Sequence, residues 1–582
     1  MKVCLINTSY CVDKDEAYLP TALLSLGAVL EENGFTVEIV DLHEFMKQDK
    51  INIDKNFHNR AAEIITDKNI DILGFTTRCD TYPSVLNIAR RCKEINPYCT
   101  IIFGGPQATL LDTATLENFR FVDVIVRGEG ELTVVELMNR LKNREDLDGV
   151  AGVTYRLSQG EIIRNPDRGL INDLDSLPQL AYHLFEKDYN GNLFKYRWAT
   201  VEAGRGCPYG CTFCSTSLVL KRIHRMKSPE RIIKEMQFLK SRYGVRHFSF
   251  LHDHFLFNRE KVKEFCRILT RRKLNIDWNC SSRPDNVDPE LLEFMVKSGC
   301  RGLYFGIESG SQRIQKSIRK NIDVSTLPGI IEECEKYNML IVCSFIIGFP
   351  EEREEDINAT LRLALKCSLF KKCFVQLHLL APMPGTQLFD RCKDRLIYKG
   401  LFSDVADERI ARLKENVDLI KRYPHIFCVY YGIKSRHIFF NSIYNIVNVF
   451  LVIFAAYRLS CRIILDESGY NPTDLFREIY KKLSKGKDKN NFAVPKSEIK
   501  KNFPDSIDYI YKRERLNAGF IKSIIKFEIR KYKEYKQKLI QRKKEMSTGV
   551  SGKKGGVQPW VREKSVRGPK VKRSIKSRNC GI

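Results

Sequence analysis

One stretch constrains this chain more than any other: Gly204-Arg205-Gly206-Cys207-Pro208-Tyr209-Gly210-Cys211-Thr212-Phe213-Cys214. The cysteines follow the spacing CxxxCxxC on a loop shaped by glycines and a proline. Thiolates are the soft ligands that iron–sulfur clusters take, and three this close can wrap one corner of a cubane. A fourth cysteine at comparable spacing is absent, so one iron of a cubane would be left open to a substrate or cosubstrate. Zinc normally takes four ligands with paired CxxC or His spacing, and the nearest histidine, His224, lies ten residues further on. Three unligated thiols are a poor reading of a loop shaped in this way.

The rest of the chain is long enough to house such a site in ordinary cores. Its 582 residues correspond to about three or four domains, with 43% apolar and 29% charged residues, which excludes a wholly disordered or fibrous protein. The net charge of +26 is uneven: residues 541–582 carry thirteen Lys/Arg against two Glu, and residues 481–540 carry eighteen against seven acidic residues. The first 480 residues are nearly neutral, so the charge belongs to a C-terminal appendage. Nineteen cysteines are an odd number, and many sit singly in apolar runs, as Cys4, Cys343 and Cys428 do. Met1–Ile6 reads as a short buried strand, too brief for a secretory signal core. These features point to a reducing cytoplasm, with most thiols as small core residues. Ile438–Tyr457 has no charged residue and the length of a membrane span. Asn441, Asn445 and Asn448 share one face of that helix, however, and favour a buried or interfacial helix.

Periodicity divides the chain. Residues 1–145 alternate strands and helices, with strands at Lys2–Ile6, Thr36–Val40, Ile70–Phe75, Thr100–Phe103 and Val122–Val126, which predicts an α/β domain with a doubly wound parallel sheet. Ligands of such sheets sit beyond the carboxyl ends of the strands. Residues 146–195 read as a linker with a hairpin-like Gly152–Arg164. Residues 196–400 hold a second series, with strands at Thr200–Ala203, His247–Leu251, Trp278–Ser281, Gly302–Ile307, Ile341–Ile347 and Phe374–Leu379, which make a partial (βα)6 barrel. Residues 401–540 read as a mainly helical domain, and residues 541–582 as a basic disordered tail.

The cysteine spacing, with aromatic Phe213 before the last cysteine, resembles the radical S-adenosylmethionine (SAM) superfamily. The resemblance implies a [4Fe-4S] cluster on Cys207, Cys211 and Cys214, with SAM at the open iron. It extends along the second series. Phe250-Leu251-His252-Asp253-His254 is similar to the strand end presented to the SAM amino group. Trp278–Asp285 resembles the segment whose arginine, here Arg283, reaches the SAM carboxylate. Gly306-Ile307-Glu308-Ser309-Gly310 looks like the polar fourth-strand end. Phe345–Pro350, with Gly348, resembles the strand that brackets adenine, and Leu380–Thr386 resembles a common closing segment. The implied SAM contacts are Phe213, Asp253, Arg283, Glu308 and Gly348. Arg283 offers a planar fork suited to a carboxylate, with a surface ion pair as the alternative. Glu308 can accept from an ammonium or ribose hydroxyls, or can cap a helix. His252 and His254 either line the pocket or are satisfied core histidines.

The first domain resembles the cobalamin-binding module of cobalamin-dependent radical SAM enzymes, through Tyr18–Gly27, Gly104-Gly105-Pro106-Gln107-Ala108-Thr109 and Val126-Arg127-Gly128-Glu129-Gly130-Glu131. The implied cobalamin contacts are Ser9, Thr76, Thr77, Gly104, Gly105, Gln107, Gly128 and Glu129, with Thr109 beside them. Many such modules carry Asp-x-His-x-x-Gly after the first strand; here that loop reads Asn7-Thr8-Ser9-Tyr10-Cys11-Val12, so no histidine below cobalt is expected. The resemblance implies a methyltransferase acting on an unactivated carbon of a peptide, lipid or other small-molecule substrate, through a 5′-deoxyadenosyl radical and methylcobalamin. An electron donor such as flavodoxin or ferredoxin is implied as a partner. Relatives of this architecture also cyclise or rearrange substrates. A tRNA methylthiotransferase remains an alternative, but no nucleic-acid partner is called for, and the cobalamin-like segments disfavour it. A non-catalytic cobalamin-binding sensor is the third reading. The aromatic cluster Tyr423–Tyr431 suits either substrate contact or core packing. Phe520–Gln541 is basic and suits either an anionic membrane or polyanion, as a peripheral contact of a cytoplasmic protein, or plain solvent.

Overall fold

Short apolar runs closed by glycines and polar turns become strands, because five or six residues span a sheet but make barely more than one helical turn. The computed structural model describes residues 1–8, 19–66, 70–186, 198–401 and most of 403–483, with scattered positions between 505 and 534. In the first sheet, β1 (Lys2–Asn7), β2 (Thr36–Asp41), β3 (Ile72–Thr76), β4 (Thr100–Gly104) and β5 (Val124–Val126) are parallel. Their spatial order is β2-β1-β3-β4-β5. The winding direction reverses between β1 and β3, and the crevice beyond their carboxyl ends is where such sheets take ligands.

The hairpin that the sequence puts in a linker belongs to this sheet. Strands β6 (Val153–Arg156) and β7 (Ile162–Arg164) extend it antiparallel to β5, with Val124 opposite Tyr155. Arg127 holds the addition: its buried guanidinium donates to Thr154, to the Asn165 carbonyl and to Asp167.

The second sheet follows chain order: β8 (Trp198–Glu202), β9 (His247–Leu251), β10 (Asp277–Ser282), β11 (Cys300–Glu308), β12 (Leu340–Ile347) and β13 (Cys373–Leu379). All pairs are parallel and β8 does not pair with β13, so the barrel is open on one side. The connecting helices carry local stop and start signals. Helix Pro229–Tyr243 begins at Ser228, whose hydroxyl accepts from Arg231 N–H at 3.1 Å, and ends at Gly244 with φ +69°. Behind β9 and β10, Trp278 is fully buried, stacked on Phe250 at 5.2 Å and edge-on to Phe265 at 5.5 Å. Its indole N–H donates to the Ser298 carbonyl at 3.2 Å.

The C-terminal region, expected as one helical domain, divides between the two sheets. Residues 408–431 lie on the first domain, and Gly432 and Ile433 then pair with Ile397 and Leu396. Asn416 accepts from Asn87 at 2.9 Å and donates to Ser84 at 2.8 Å, Gln107 donates to the Ile426 carbonyl at 3.2 Å, and Tyr430 donates to the Asp80 carbonyl at 2.5 Å. The aromatic cluster from Tyr423 to Tyr431 therefore serves packing: Phe427 lies 6.0 Å from Tyr82, and Tyr423 lies 5.3 Å from Phe119. Helices Phe440–Val452 and Pro472–Leu483 cover the barrel instead, the second fixed by Thr473 on Glu354 at 2.8 Å and Asn358 at 2.9 Å. Among the described residues, one helix, Ser442–Ser468, is long and apolar enough by length and composition to cross a membrane. Ile443, Ile446, Val449 and Phe450 on it are buried, as is Asn445. Its π-helical turn at Ile453–Tyr457 is followed by Leu459 and Ser460, whose backbone N–H groups donate to buried Glu528 at 2.9 and 3.1 Å. The basic tail and most of Phe520–Gln541 lie outside the described residues.

Trp278→Ala is expected to destabilise the protein by about 3–5 kcal/mol, and Trp278→Phe by less, since removing a fully buried indole leaves a cavity. Thermal unfolding of the two variants checks the order.

Candidate active site

The cysteine loop leaves β8 and turns at once. Gly204 and Arg205 pair antiparallel with Met226 and Arg225. A Cβ on Gly204 would lie 2.4 Å from the Arg225 carbonyl and 2.7 Å from the His252 ring. Gly206 has φ +87°, and a Cβ there would lie 2.0 Å from the Ile223 carbonyl. Both positions therefore require glycine. Asp253, expected at SAM, instead accepts from Gly206 N–H at 3.1 Å and so braces the loop. Thr212 N–H donates to the Ile318 carbonyl and the Thr212 carbonyl accepts from Leu388 N–H, both at 3.0 Å. Phe213 packs edge-on to Phe349 at 5.9 Å, which ties the loop to the turn after β12.

Cys207, Cys211 and Cys214 are free and half-buried; among the other described cysteines only Cys79 is not fully buried. Burial pushes the Cys207 thiol up and the Cys211 thiol up to about 11, while the nearby Lys320 charge acts in the opposite sense. Among the described residues no three His, Cys, Asp or Glu side chains converge on a single-ion site. A tetrahedral zinc needs such convergence, whereas in a cubane each thiolate takes its own iron. Three half-buried thiols on one glycine-shaped loop are a soft donor set of the kind an iron–sulfur cluster takes.

The barrel mouth departs from expectation at Arg283. Its fork is filled by Asp285, with Nε–Oδ1 at 3.0 Å and Nη2–Oδ2 at 2.6 Å, while Nη1 donates to the Lys320 carbonyl at 2.8 Å. Its face lies 3.9 Å from the Tyr209 ring centroid. An aspartate two residues along captured the guanidinium, which now supports the cysteine loop as a cation–π partner. Glu308 ends β11 in a left-handed conformation, φ +68°, and its carboxylate accepts from Lys320 at 2.5 Å. Gly348, φ +104°, opens the turn after β12, and its N–H donates to Glu352 at 2.6 Å; Phe349 N–H donates to the same oxygen at 3.1 Å. Burial raises the Glu352 carboxyl to about 8. His254 is satisfied by Ser282 and Asn286, whereas both ring nitrogens of buried His252 lack a partner.

The first-domain residues separate into crevice and scaffold. Ser9 lies outside the described residues. Thr76 is half-buried at the end of β3, and its carbonyl accepts from Thr8 at 2.9 Å across the switch point. At Gly128, φ +70°, a Cβ would meet nothing within 4 Å, and at Gly104 only the Val126 carbonyl at 3.7 Å. These backbone positions leave open space beyond the strands, as a large flat ligand requires. Three other expected contacts are committed elsewhere. Buried Thr77 donates to the Gly104 carbonyl at 2.7 Å and accepts from Ala108 N–H at 2.9 Å. Gly105, φ +95°, is a glycine because a Cβ would lie 2.7 Å from the Thr77 carbonyl. Gln107 holds Ile426, as described above.

Glu129 is the clearest correction. Its carboxylate accepts from Arg205 at 3.0 Å, from Arg225 at 2.8 Å and from Ile171 N–H at 2.7 Å. Glu131 accepts from Arg205 at 2.6 Å, and Glu202 from the Arg205 Nε at 2.8 Å. Lys227 extends the network from Glu202, at 3.2 Å, to Glu235, at 3.7 Å. Burial opposes the charge on Glu129, but hydrogen bonds from Arg225, Ile171 and Arg205 hold its carboxyl below the usual value. The same balance, burial against Arg205 and Lys227, holds Glu202 low. Arg205, inside the cysteine motif, thus joins the two domains; only Glu202, three residues before it, was near in sequence.

Comparisons with known proteins agree with this arrangement. Residues 201–364 match the radical SAM superfamily and residues 16–138 the B12 binding domain. An uncharacterized methyltransferase of Pyrococcus horikoshii is 33% identical over 334 residues, covering 56% of this chain and 71% of the relative. This chain is a cobalamin-dependent radical SAM enzyme. An anaerobic magnesium-protoporphyrin IX monomethyl ester cyclase of Rubrivivax gelatinosus is 26% identical, over 58% of this chain and 61% of the cyclase. The solved structure of the cobalamin-dependent SAM radical enzyme OxsB, with aqua-cobalamin and SAM bound, aligns over 91% of this chain and 84% of its own, at TM-score 0.58 and 15% identity. The cofactors of this radical SAM enzyme are a [4Fe-4S] cluster, SAM and cobalamin.

Arg205→Met leaves Glu129 and Glu131 buried without their shared cation, a loss of about 3–5 kcal/mol for such pairs. A lower thermal midpoint and faster proteolysis between the two sheets are the expected readouts. Glu129 and Glu202 have lowered folded values, so their contribution is present above the ordinary carboxylate range and is lost as pH falls through those lowered values. The wild type is expected to lose stability in that acid window, and Arg205→Met to lose less there.

Proposed function

We propose that this enzyme methylates an unactivated carbon of a small organic substrate, and that Cys207, Cys211 and Cys214 hold its cluster. The observation that carries the reading is the Arg205 network, which ties the cysteine loop to the domain whose strand ends form the open crevice. When bound, the cluster with SAM supplies radical hydrogen abstraction, and cobalamin supplies a methyl group. The chain supplies position. Asp253, Thr212 and the Arg283–Tyr209 stack fix the cysteine loop, and Phe213 couples it to the Gly348 turn. Glu352 draws the Gly348 and Phe349 N–H groups inward and so shapes that turn for an adenine. Gly104, Gly128 and Thr76 form the floor for the corrin. Leu110 of the first domain and Leu218 after the cysteine loop both approach Gly385, with 3.6 Å to a Cβ there, so the first domain, the cysteine loop and the segment after β13 meet at this point.

The cyclase relative supports a second reading, in which the same architecture rearranges or cyclises its substrate without methyl transfer. Peptide and lipid substrates both remain within the proposal. A flavodoxin or ferredoxin is the proposed electron donor, and the basic C-terminal stretch supports peripheral contact of a cytoplasmic protein with an anionic membrane.

Anaerobic reconstitution with iron, sulfide and hydroxocobalamin is expected to give about four irons and about one cobalamin per chain after desalting. With methyl-labelled SAM and substrate, label in the product supports methylation. Product without label, with substrate converted, supports the cyclase reading. Four irons without retained cobalamin would remove both.

A further inference from the structure

The turn that follows the cysteine loop is bonded back onto it. Ser217 Oγ donates to the Cys214 carbonyl at 3.0 Å, and Arg222 N–H donates to the Ser217 carbonyl at 3.1 Å. Lys221 and Arg222 are consecutive residues in the left-handed region, with φ +51° and +56°. Non-glycine residues rarely adopt this region, and such residues cluster where conformation serves a site. The Arg222 guanidinium is thereby laid against Gly210, directly before Cys211: a Cβ on Gly210 would fall 2.9 Å from its Cζ. Lys221, Arg222 and Ile223 are nevertheless exposed, Ile223 to 46%.

Phe257, which follows β9, continues this surface. It is 42% exposed, and its ring lies 5.0 Å from that of His224 and 6.3 Å from that of Tyr209. Tyr209, like Gly210, stands between Cys207 and Cys211. Lys261, four residues beyond Phe257, is near enough to His224 for its charge to act there. Lys221, Arg222 and Lys261 form no ion pair with a described residue. Carboxylates of the neighbouring segments are committed elsewhere: Asp167 to Arg127 and Arg164, Glu260 to Lys263 and Asp253 to Gly206 N–H. Three unpaired cations and two apolar side chains thus stand directly on the loop that carries the three cysteines.

Exposed apolar side chains rimmed by charge are the make-up of a protein docking surface. Short-lived redox encounters use small interfaces steered by complementary charge. We infer that Lys221, Arg222, Ile223, Phe257 and Lys261 form the docking surface for an acidic one-electron carrier protein of flavodoxin or ferredoxin type. The location favours this occupant over other polyanions, because contact here brings the carrier's redox group to within one loop of the three thiols. In the encounter one electron leaves the reduced carrier and enters the cluster. The carrier is oxidised by one electron and the cluster reduced by one, with no bond formed or broken. The inference rests on the radical SAM reading of the site and adds to it the surface through which the electron arrives.

The test uses the full chain reconstituted anaerobically with iron, sulfide and hydroxocobalamin, and two acidic probes, a flavodoxin and a [4Fe-4S] ferredoxin. Equilibrium binding of the oxidised carrier is measured first, since it involves no electron transfer. The rate of cluster reduction by the reduced carrier is then followed by electron paramagnetic resonance. The wild type is expected to bind at least one carrier, and more weakly as salt is raised. Lys221→Glu/Lys261→Glu is expected to keep its iron and to bind that carrier at least about tenfold more weakly, and Phe257→Ser at least about threefold. Cluster reduction by dithionite, which needs no docking, is expected within about threefold of the wild type in both. Exposed Lys55 and Lys371 lie away from the loop, on the first domain and at the far end of the barrel. Lys55→Glu/Lys371→Glu makes the same change in net charge there and is expected to bind the carrier within about twofold of the wild type.

Equal losses in the two double variants overturn the proposal, as does unchanged carrier affinity in Lys221→Glu/Lys261→Glu or in Phe257→Ser. Loss of iron from both Lys221→Glu/Lys261→Glu and Phe257→Ser assigns the patch to the cluster site itself and overturns it as well. Heparin binding lost from Lys221→Glu/Lys261→Glu with carrier binding intact reassigns the patch to a polyanion. An iron-loaded wild type that binds neither carrier overturns the docking assignment alone. A wild type that takes up no iron overturns the radical SAM reading, and the proposal with it.

Discussion

Arg205 is the point on which the two halves of the molecule bear. Its guanidinium meets Glu129 and Glu131 from the first domain and Glu202 from the barrel, with all four side chains largely removed from water. Charges buried in this way are not a reliable source of net stability, because desolvation consumes much of the attraction. What such a network does is select one arrangement, since any other leaves a charge unpaired. The arrangement selected is specific to the chemistry. Arg205 stands two residues before Cys207, and Glu129 and Glu131 follow directly on the strand end that opens onto the crevice. The separation between the cysteine loop and the crevice of the first sheet is thus set within one loop and one strand end, without passing through the linker that joins the domains.

The sheets and the cysteine loop were legible in the sequence because their signals are local. Apolar runs closed by glycine give the strands, and CxxxCxxC between glycines gives the turn that carries three half-buried thiols. Of the glycines singled out at 104, 105 and 128, two have positive φ, whereas Gly104 would admit a Cβ with no close contact. Gly128 faces open space, whereas Gly105 makes room for the Thr77 backbone of its own domain. Spacing alone cannot distinguish a glycine that admits a ligand from one that admits a neighbouring strand.

The polar residues were harder. Arg283 looks like a free fork until Asp285 folds back on it, and Glu129 looks like a ligand until two arginines from beyond residue 200 arrive. The partners of Glu129 are brought near only by the tertiary fold, whereas Asp285 stands two residues from Arg283 and was a local signal. Lys320 had no motif of its own, and only the return of the turn after β11 toward the cysteine loop brings its ammonium to the mouth. The hairpin β6–β7 was legible but its place in the first sheet was not, for a related reason: antiparallel addition to a parallel sheet is decided by the edge of β5 and by Arg127, not by the hairpin's own residues.

The divided C-terminal region has a consequence for the order of assembly. Residues 408–431 fasten onto the first sheet through Asn416, Gln107 and Tyr430, and the helices from 440 to 483 fasten onto the barrel. Both sheets leave the ribosome before either fastening exists, and domains fold as units in the order of synthesis. The nascent protein therefore passes through a stage in which sheet and barrel are formed but unstrapped. In that stage the amide and aromatic surface that Asn416, Phe427 and Tyr430 later cover is still open to water.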